Sequence, residues 1–521
     1  MKKIVISIVI LMVFSIAWYI LKPSSPENKV LESNTTINNK ITKVTLSESL
    51  TITESGIYEL TGNIEDGLIT IHADGEVILV LNNVIIKNSK GPAIYIEQSA
   101  ATTIELTGGT VNQLTDSDSY SIYKEDVNGT IFSRNNLIIT GKGTLKVNAD
   151  YKNGIVSKGK LTIESGTIEI DTVEDGIQSS DNMLIKDGII TINSAGNGIR
   201  TRDDTRTELG YIQIENGIFN IRATLDGIQA NTYLSIKNGS FDIRTGNGSS
   251  TAWTNQTISA KALKSKKNLI IENGTFTIDS ADDAIHTNSS LSIIDGVFHI
   301  SSGDDGIHAD NTIIINNGTI TITKSYEGIE SASININGGT ITITASDDGI
   351  NASGGSDNSS QGGRAGQNQL STSTEYKLTL NGGMIEINAS GDGLDANGNI
   401  YINGGEIYVN SSTNDKKREL DSEYVITGGT LMTIGTKRIS ETTTNLSTQL
   451  IIILSTAIKS NDKIVITDSK DNELFEYTIK KQSESIVYSS PLLKLNESYK
   501  LKINDAVIKT FNISSNTTVV G

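Results

Sequence analysis

The chain has 521 residues, a formal net charge of −17 at pH 7 and no cysteine. The negative charge argues against a nucleic-acid partner, because phosphate binding needs clustered lysine and arginine. The absence of cysteine excludes disulfides, thiolate metal sites, cysteine catalysis and a lipid-modified N-terminal cysteine. The 48 glycines and only 4 prolines favour many short strands joined by tight turns.

The first 22 residues form the one segment with an apolar, helical pattern. Lys2 and Lys3 precede an apolar run from Ile4 to Leu21, and these lysines place the N-terminus in the cytoplasm. We interpret residues 1–22 as a signal peptide or a membrane anchor, followed by a polar linker over 23–40. Either interpretation predicts an extracellular or cell-surface protein that meets the membrane only through residues 4–21.

Residues 41–434 are predicted to form a right-handed parallel β-helix with about 22 residues per coil. The part over 41–130 is less regular. Beyond it an acidic-Gly-Ile pattern recurs, and Gly154, Gly176 and Gly198 are each 22 residues apart. Three strands with alternating apolar residues fit into each interval. Insertions interrupt the repeat around 202–210, 245–258 and 354–374.

Residues 446–521 lack this repeat. Their apolar runs, such as 450–454 and 463–467, are separated by polar turns. We predict a small C-terminal antiparallel β domain there, so that the fold class is all-β.

Several stretches carry a family resemblance that covers nearly everything after residue 45. They are Gly56-Ile57-Tyr58, Leu79–Val84, Ser301–Asp310, Lys324–Glu330 and Ala345–Ala352. In these stretches the chain resembles the clostridial-type calcium-bearing carbohydrate-binding β-helix family, which has a pectate-lyase-like fold. The resemblance implies calcium on the β-helix and binding of polysaccharide, either cellulose-like or acidic such as pectate.

Equivalent residues of stacked coils form rows along a β-helix, because neighbouring coils lie about 4.8 Å apart. Two like charges at this distance repel by roughly 3–4 kcal/mol at an effective dielectric constant of 20. Raised pKa values, splaying into solvent or a bound cation can relieve such repulsion. The residue before each recurring glycine gives what we call the acidic row: Asp175, Asn197, Asp226, Lys261, Asp283, Asp305, Glu327, Asp348 and Asp392.

Calcium suits paired carboxylates on adjacent coils, because it accepts six to eight oxygen ligands with tolerant geometry. Asp175 and Asp226, isolated by Asn197 and Lys261, are predicted instead to serve tight turns. We therefore predict calcium as the cofactor, held by acidic residues in and beside the later part of the row: Asp282, Asp283, Asp304, Asp305, Glu327, Glu330, Asp347, Asp348, Asp392 and Asp395.

Four residues are candidates for contact with sugar: Trp253, His286, His308 and Tyr326. The ring of Trp253 lies in an insertion and could pack on a sugar face or cover the side of the β-helix. His286 and His308 are 22 residues apart and should stack. We interpret them as exposed polar residues of a row, which could contact sugar or a softer metal. Tyr326 interrupts the acidic row and could also stack on sugar.

The predicted function is extracellular, calcium-dependent and non-catalytic polysaccharide binding by a monomer. One alternative is a calcium-dependent polysaccharide lyase with Lys261 as the base. Neighbouring carboxylates spoil a lysine as a base, however, and Lys261 could simply neutralise them. The other alternative is a structural surface stalk or adhesin.

Overall fold

The computed structural model describes residues 41–121, 126–203, 206, 208–250, 258–353, 376–411, 419–435 and 446–521. These residues contain 47 strands and no helix. Accordingly, no helix able to span a membrane is found among them. The predicted signal or anchor segment and the linker lie outside the described residues.

The strands fall into three groups. The N-terminal part contains β1 (Ile41–Leu46), β2 (Leu50–Ile52), β3 (Gly56–Ile64), β4 (Ile69–His72), β5 (Val77–Lys87), β6 (Ile94–Gln98), β7 (Thr102–Leu106) and β8 (Val111–Thr115). The regular coils contain β9 (Gly129–Ser133), β10 (Leu137–Gly141), β11 (Thr144–Ala149), β12 (Asn153–Ser157), β13 (Leu161–Ile163), β14 (Thr167–Thr172), β15 (Ile177–Ser179), β16 (Met183–Ile185), β17 (Ile189–Ser194), β18 (Ile199–Thr201), β19 (Ile212–Ile214), β20 (Ile218–Ala223), β21 (Ile228–Ala230), β22 (Leu234–Ile236), β23 (Ser240–Thr245), β24 (Leu263–Ser265), β25 (Leu269–Ile271), β26 (Thr275–Ser280), β27 (Ile285–Thr287), β28 (Ser290–Ile293), β29 (Val297–Ser302), β30 (Ile307–Ile315), β31 (Thr319–Lys324), β32 (Ile329–Ile336), β33 (Thr340–Ala345), β34 (Ile350–Ala352), β35 (Lys377–Leu380), β36 (Met384–Ala389), β37 (Leu394–Ile402), β38 (Glu406–Asn410), β39 (Leu420–Ile426) and β40 (Thr430–Gly435). The C-terminal segment contains β41 (Ile451–Ile458), β42 (Lys463–Asp468), β43 (Glu473–Thr478), β44 (Ser483–Ser489), β45 (Ser498–Ile503), β46 (Ala506–Asn512) and β47 (Thr517–Val520).

Each regular coil of the β-helix holds three strand segments, and each segment pairs in parallel with the equivalent one in the next coil. β14, β17 and β20 pair in this way without a register shift. Within β17, Ile190 and Ile192 are buried, whereas Thr191 and Asn193 face outward, the alternation that a pleated strand imposes. The predicted parallel β-helix is confirmed.

The interior of the β-helix is a continuous apolar core. Its clearest regularity is a stack of four phenylalanine rings on successive coils, with centroids 4.6 to 4.7 Å apart: Phe219, Phe241, Phe276 and Phe298. This distance matches the strand spacing of a sheet. The coils therefore keep register closely enough for outward side chains to stack in the same way.

The turn before each six-residue strand of the central coils depends on glycine. Gly217 and Gly239 have φ values of +136° and +137°, a region that side chains other than glycine rarely adopt. A Cβ at Gly239 would lie 3.0 Å from the carbonyl oxygen of Gly217. Glycine thus sets how closely consecutive turns approach.

The C-terminal segment joins the last coil through main-chain hydrogen bonds. β44 pairs antiparallel with β40 and with β41, and β47 pairs parallel with β41. The remaining strands form an antiparallel sheet in the order β43-β42-β45-β46. The predicted antiparallel sheet is confirmed, and this segment continues the sheet of the β-helix through β44.

Candidate functional site

The turn after each six-residue strand carries the acidic row, and the strand that follows carries a second row. Strand register aligns the members of this second row: Gln178, Arg200, Gln229, Lys264, His286, His308, Glu330, Asn351 and Asp395. The predicted stacking of His286 and His308 is confirmed.

Side-chain oxygens of the acidic row bond to the backbone of the next coil. Oδ1 of Asp175 accepts the N–H of Asn197 at 2.9 Å, and Oδ1 of Asn197 accepts the N–H of Asp226 at 3.1 Å. Farther along, Oδ1 of Asp305 accepts the N–H of Glu327 at 3.1 Å. These carboxylates are therefore held inward against the turns. The repulsion between neighbouring carboxylates is therefore not relieved by side chains that turn outward into solvent, which was one of the three possibilities considered from the sequence.

Cations compensate the acidic row in its first part. Arg200 Nη1 lies 3.4 Å from Asp175 Oδ2, and Lys264 Nζ lies 3.4 Å from Asp226 Oδ2. Asp175 and Asp226 thus serve the turns, as predicted, and also form ion pairs.

Lys261 supplies the next positive charge. Its side chain is 0% exposed, with Nζ 2.9 Å from Asp282 Oδ1 and 2.5 Å from Asp283 Oδ2. Burial opposes ionisation of Asp283, but Lys261 and His286 outweigh it and hold the pKa of this carboxyl well below its ordinary value. A buried ammonium group between two carboxylates cannot reach a substrate. This geometry favours charge neutralisation over the role of lyase base.

His286 and His308 stack with ring centroids 5.0 Å apart. The expectation that they are exposed is wrong, because their side chains are only 1% and 0% exposed. Burial, followed by the charge of Lys261, lowers the pKa of His286 to about 4. Burial also opposes protonation of His308, but hydrogen bonds to three carboxylates hold its pKa well above the ordinary value.

The hydrogen bonds of His308 extend into an oxygen-rich cluster beyond Lys261. Its Nδ1 lies 3.0 Å from Glu330 Oε2 and 3.3 Å from Asp305 Oδ2. Burial and neighbouring carboxylates raise the pKa of both Asp305 and Glu327 well above the ordinary range. Raised pKa values, another of the three possibilities for relieving the repulsion, are therefore present in this part of the row.

Two buried oxygens of this cluster have no hydrogen-bond partner among the described residues. They are Oε1 of Glu330 and Oδ1 of Asn351. The two residues are aligned on adjacent coils and are 1% and 4% exposed. Asn351 Nδ2 donates to Glu327 Oε2 at 2.8 Å. The amide group of Asn351 is thereby oriented, and its Oδ1 remains available as a metal ligand. We call Asp305, Glu327, Glu330 and Asn351 the oxygen cluster.

Six of the seven remaining predicted metal ligands, all except Asp347, form two groups. In each group, one ligand atom per residue lies within 4.8 Å of the others: Asp282, Asp283 and Asp304 in one, and Asp348, Asp392 and Asp395 in the other. Among the residues predicted to contact sugar, Tyr326 is half-buried and donates its hydroxyl hydrogen to Asp347 Oδ2 at 2.7 Å. Trp253 lies outside the described residues.

Sequence reasoning missed an open groove on the outer face just before the turns of the acidic row. It has a volume of about 790 Å³. Polar side chains on successive coils line it, namely Thr115, Asn148, Asp171, Asn193, Arg222 and Arg244. These residues were detectable only as outward positions of repeated strands.

Comparison with known proteins gives a family assignment. The family model described as "Carbohydrate-binding domain-containing protein" matches residues 47–306 and 305–349. A protein of that description from Acetivibrio thermocellus is 35% identical over 149 residues, which are 27% of this chain and 52% of the relative. The chain thus spans about half the length of the curated relative it matches.

A solved structure is also similar, that of a polysaccharide lyase-like protein from C. thermocellum in its gadolinium derivative. It is 30% identical, covers 40% of this chain and 92% of its own, and gives a TM-score of 0.39. The family model covers more than half of the present chain. The chain therefore belongs to the family of carbohydrate-binding domain-containing proteins.

Proposed function

We propose that this protein binds polysaccharide outside the cell and depends on calcium to do so. Membership of a carbohydrate-binding family supports the polysaccharide ligand. The oxygen cluster supports the calcium dependence. The observation that carries the calcium proposal is a pair of buried oxygens, on Glu330 and Asn351, that have no hydrogen-bond partner in the described part of the chain and lie beside carboxyls with raised pKa values.

The donor set of the oxygen cluster fits calcium. Carboxylate and amide oxygens are the ligands that calcium prefers, and their supply from adjacent coils suits its tolerant geometry. A divalent cation here would bind the Glu330 and Asn351 oxygens and offset the repulsion that raises the pKa values of Asp305 and Glu327. In this proposal the ion lies beyond Lys261, since Asp282 and Asp283 already contact an ammonium group.

The position of the oxygen cluster also suggests how calcium acts. Glu330 and Asn351 are almost fully buried, so an ion that they hold would be shielded from a polysaccharide. It would act on sugar binding by fixing the stacked coils, since relieved repulsion stabilises their register. Loss of calcium should then weaken both the fold and the affinity for polysaccharide.

A pull-down experiment tests this function. We expect a protein of residues 41–521 to sediment with amorphous cellulose or pectate in calcium and to remain in solution in EDTA. Glu330→Gln should lose most of the calcium effect, whereas Glu164→Gln should not, because Glu164 is an exposed partner of Lys186. If the protein binds neither cellulose nor pectate, the proposal is contradicted and a stalk or adhesin is favoured.

The extracellular location is part of the same proposal and depends on the apolar run over 4–21. Protease treatment of intact cells should degrade the β-helix if it lies on the cell surface. Protection of the whole chain from protease in intact cells, followed by degradation after lysis, would contradict this location.

A further inference from the structure

The outer groove before the acidic row is built from one repeated strand position. Asn148, Asp171, Asn193, Arg222 and Arg244 are aligned on successive coils by strand register. Thr115 precedes Asn148 in the same row. Six coils at the spacing of a sheet span about 24 Å from the first to the last. The groove is thus a straight trough along the β-helix axis.

The floor and walls of this trough differ in chemistry. Small side chains form the floor, namely Ala149, Thr172, Ser194 and Ala223, and these positions are also aligned from coil to coil. The walls carry amide, carboxylate and guanidinium groups, each of which is planar and can bond two neighbouring hydroxyl groups at once. A chain of hydroxyl-bearing rings fits such a trough better than a compact ligand does.

The charged groups of the trough indicate whether it suits a neutral or an acidic polysaccharide. Its lining holds two carboxylates, Asp150 and Asp171, and two guanidinium groups, Arg222 and Arg244. Each arginine also pairs with a carboxylate outside the lining, Arg222 with Asp242 and Arg244 with Asp279. The trough therefore offers no excess of positive charge to attract uronate groups.

From these observations we infer that the trough binds a single neutral, extended polysaccharide chain along the β-helix axis, with Arg222 and Asn193 donating hydrogen bonds to sugar hydroxyls. This inference rests on the proposed polysaccharide-binding function and assigns it a site and a substrate class. A straight trough matches the extended form of β-1,4-linked neutral chains. It differs from the sugar contacts predicted at His286 and His308, which are buried.

Strand β20 offers a matched pair of variants. Arg222 lines the trough, whereas Asn220 faces outward two residues earlier on the same strand and does not line it. We expect Arg222→Ala to lower the affinity for cellohexaose about tenfold, in line with the loss of a charged hydrogen bond. Asn220→Ala should leave the affinity unchanged. Both are measured by calorimetric titration in calcium.

A second variant fills the trough. Ala195 is an exposed residue of its lining, and Ala195→Trp should abolish binding of cellohexaose. Thr191→Trp, on strand β17 four residues before Ala195 and outside the trough, should bind as the unaltered protein does. If Ala195→Trp fails to fold, the Arg222→Ala result decides alone.

The outcomes separate the site from the function. Equal affinities for Arg222→Ala and Asn220→Ala, with binding by the unaltered protein intact, would overturn the trough and leave the polysaccharide-binding function standing. Tighter binding of hexagalacturonate than of cellohexaose would overturn the inference of a neutral chain. No binding of any oligosaccharide or polysaccharide by the unaltered protein would overturn both the site and the function.

Discussion

Lys261 Nζ lies 2.5 Å from Asp283 Oδ2 and 2.9 Å from Asp282 Oδ1, and all three side chains are buried. Removing one partner of a buried pair leaves an uncompensated charge in a medium of low dielectric constant. Lys261 thus separates a first part of the acidic row, compensated by lysine and arginine, from the oxygen cluster beyond, where His308 is the cationic group in contact with Asp305 and Glu330.

Lys261→Met should destabilise the fold by about 3–5 kcal/mol, because Asp282 and Asp283 would stay buried without their ammonium partner. Urea unfolding in calcium measures the change in the free energy of unfolding. Lys186→Met is the control, since Lys186 forms an exposed pair with Glu164, and such pairs contribute about 0–1 kcal/mol. Equal losses in the two variants would contradict the assigned role of Lys261.

Asn197→Ala should cost about 1–3 kcal/mol, the range for a buried backbone donor left without an acceptor. Asn197 Oδ1 accepts the N–H of Asp226, and its Nδ2 donates to Asp175. The control is Asn193→Ala, which removes an exposed hydrogen bond to Asp171. Thermal unfolding of the two variants should therefore differ clearly, and matching midpoints would argue against the ladder of side-chain oxygens.

Asp116 makes stability depend on pH in a region outside the acidic row. Burial raises its pKa to about 6, against the lowering effect of the hydrogen bonds from Tyr120 and the N–H of Asp150. The folded chain therefore holds this proton more tightly than the unfolded chain, whose carboxyl has a pKa of 3.8. Its contribution to stability is full below pH 3.8 and is lost as the pH rises through 6, by up to about 3 kcal/mol.

Asp116→Asn removes this titration. The stability of the unaltered protein relative to this variant should fall as the pH rises from 4 to 7, as measured by thermal unfolding at constant calcium. A difference that stays constant over this interval would show that Asp116 has an ordinary pKa in the folded state.

Glu327→Gln should have opposite effects with and without calcium. In EDTA at pH 8 the variant should be more stable than the unaltered protein by about 1–3 kcal/mol, because a neutral amide relieves burial of a charge beside Asp305 and Glu330. In calcium the variant should be less stable than the unaltered protein, because the ion loses the Glu327 carboxylate as a ligand. An effect of the same sign in both conditions would argue against an ion at Glu327.

The recurring glycine spacing was sufficient to predict which residues stack. Gln229, Lys264 and His286 lie on neighbouring coils as counted from the sequence. This worked because a β-helix repeats one local geometry, so that spacing along the chain becomes spacing along its axis.

Burial of the outer face could not be predicted in the same way. His308 is an outward residue by strand alternation and yet is fully buried, because burial of an outward position depends on what covers the strand. For the same reason the sequence did not distinguish the buried Glu330 from the exposed Arg222. The pairing of Lys261 with Asp282 and Asp283 also depends on the direction of its side chain, which the spacing along the sequence does not determine.

Calcium binding by the oxygen cluster beyond Lys261 is the proposal on which the other calcium effects depend. Calorimetric titration of calcium into EDTA-treated and desalted protein tests it most directly, with the double variant Glu327→Gln/Glu330→Gln beside the control Glu164→Gln. We expect saturable binding by the unaltered protein and the control, and an affinity at least about tenfold lower for the double variant. Calcium binding of equal strength in all three proteins, or no binding by the unaltered protein, would contradict it.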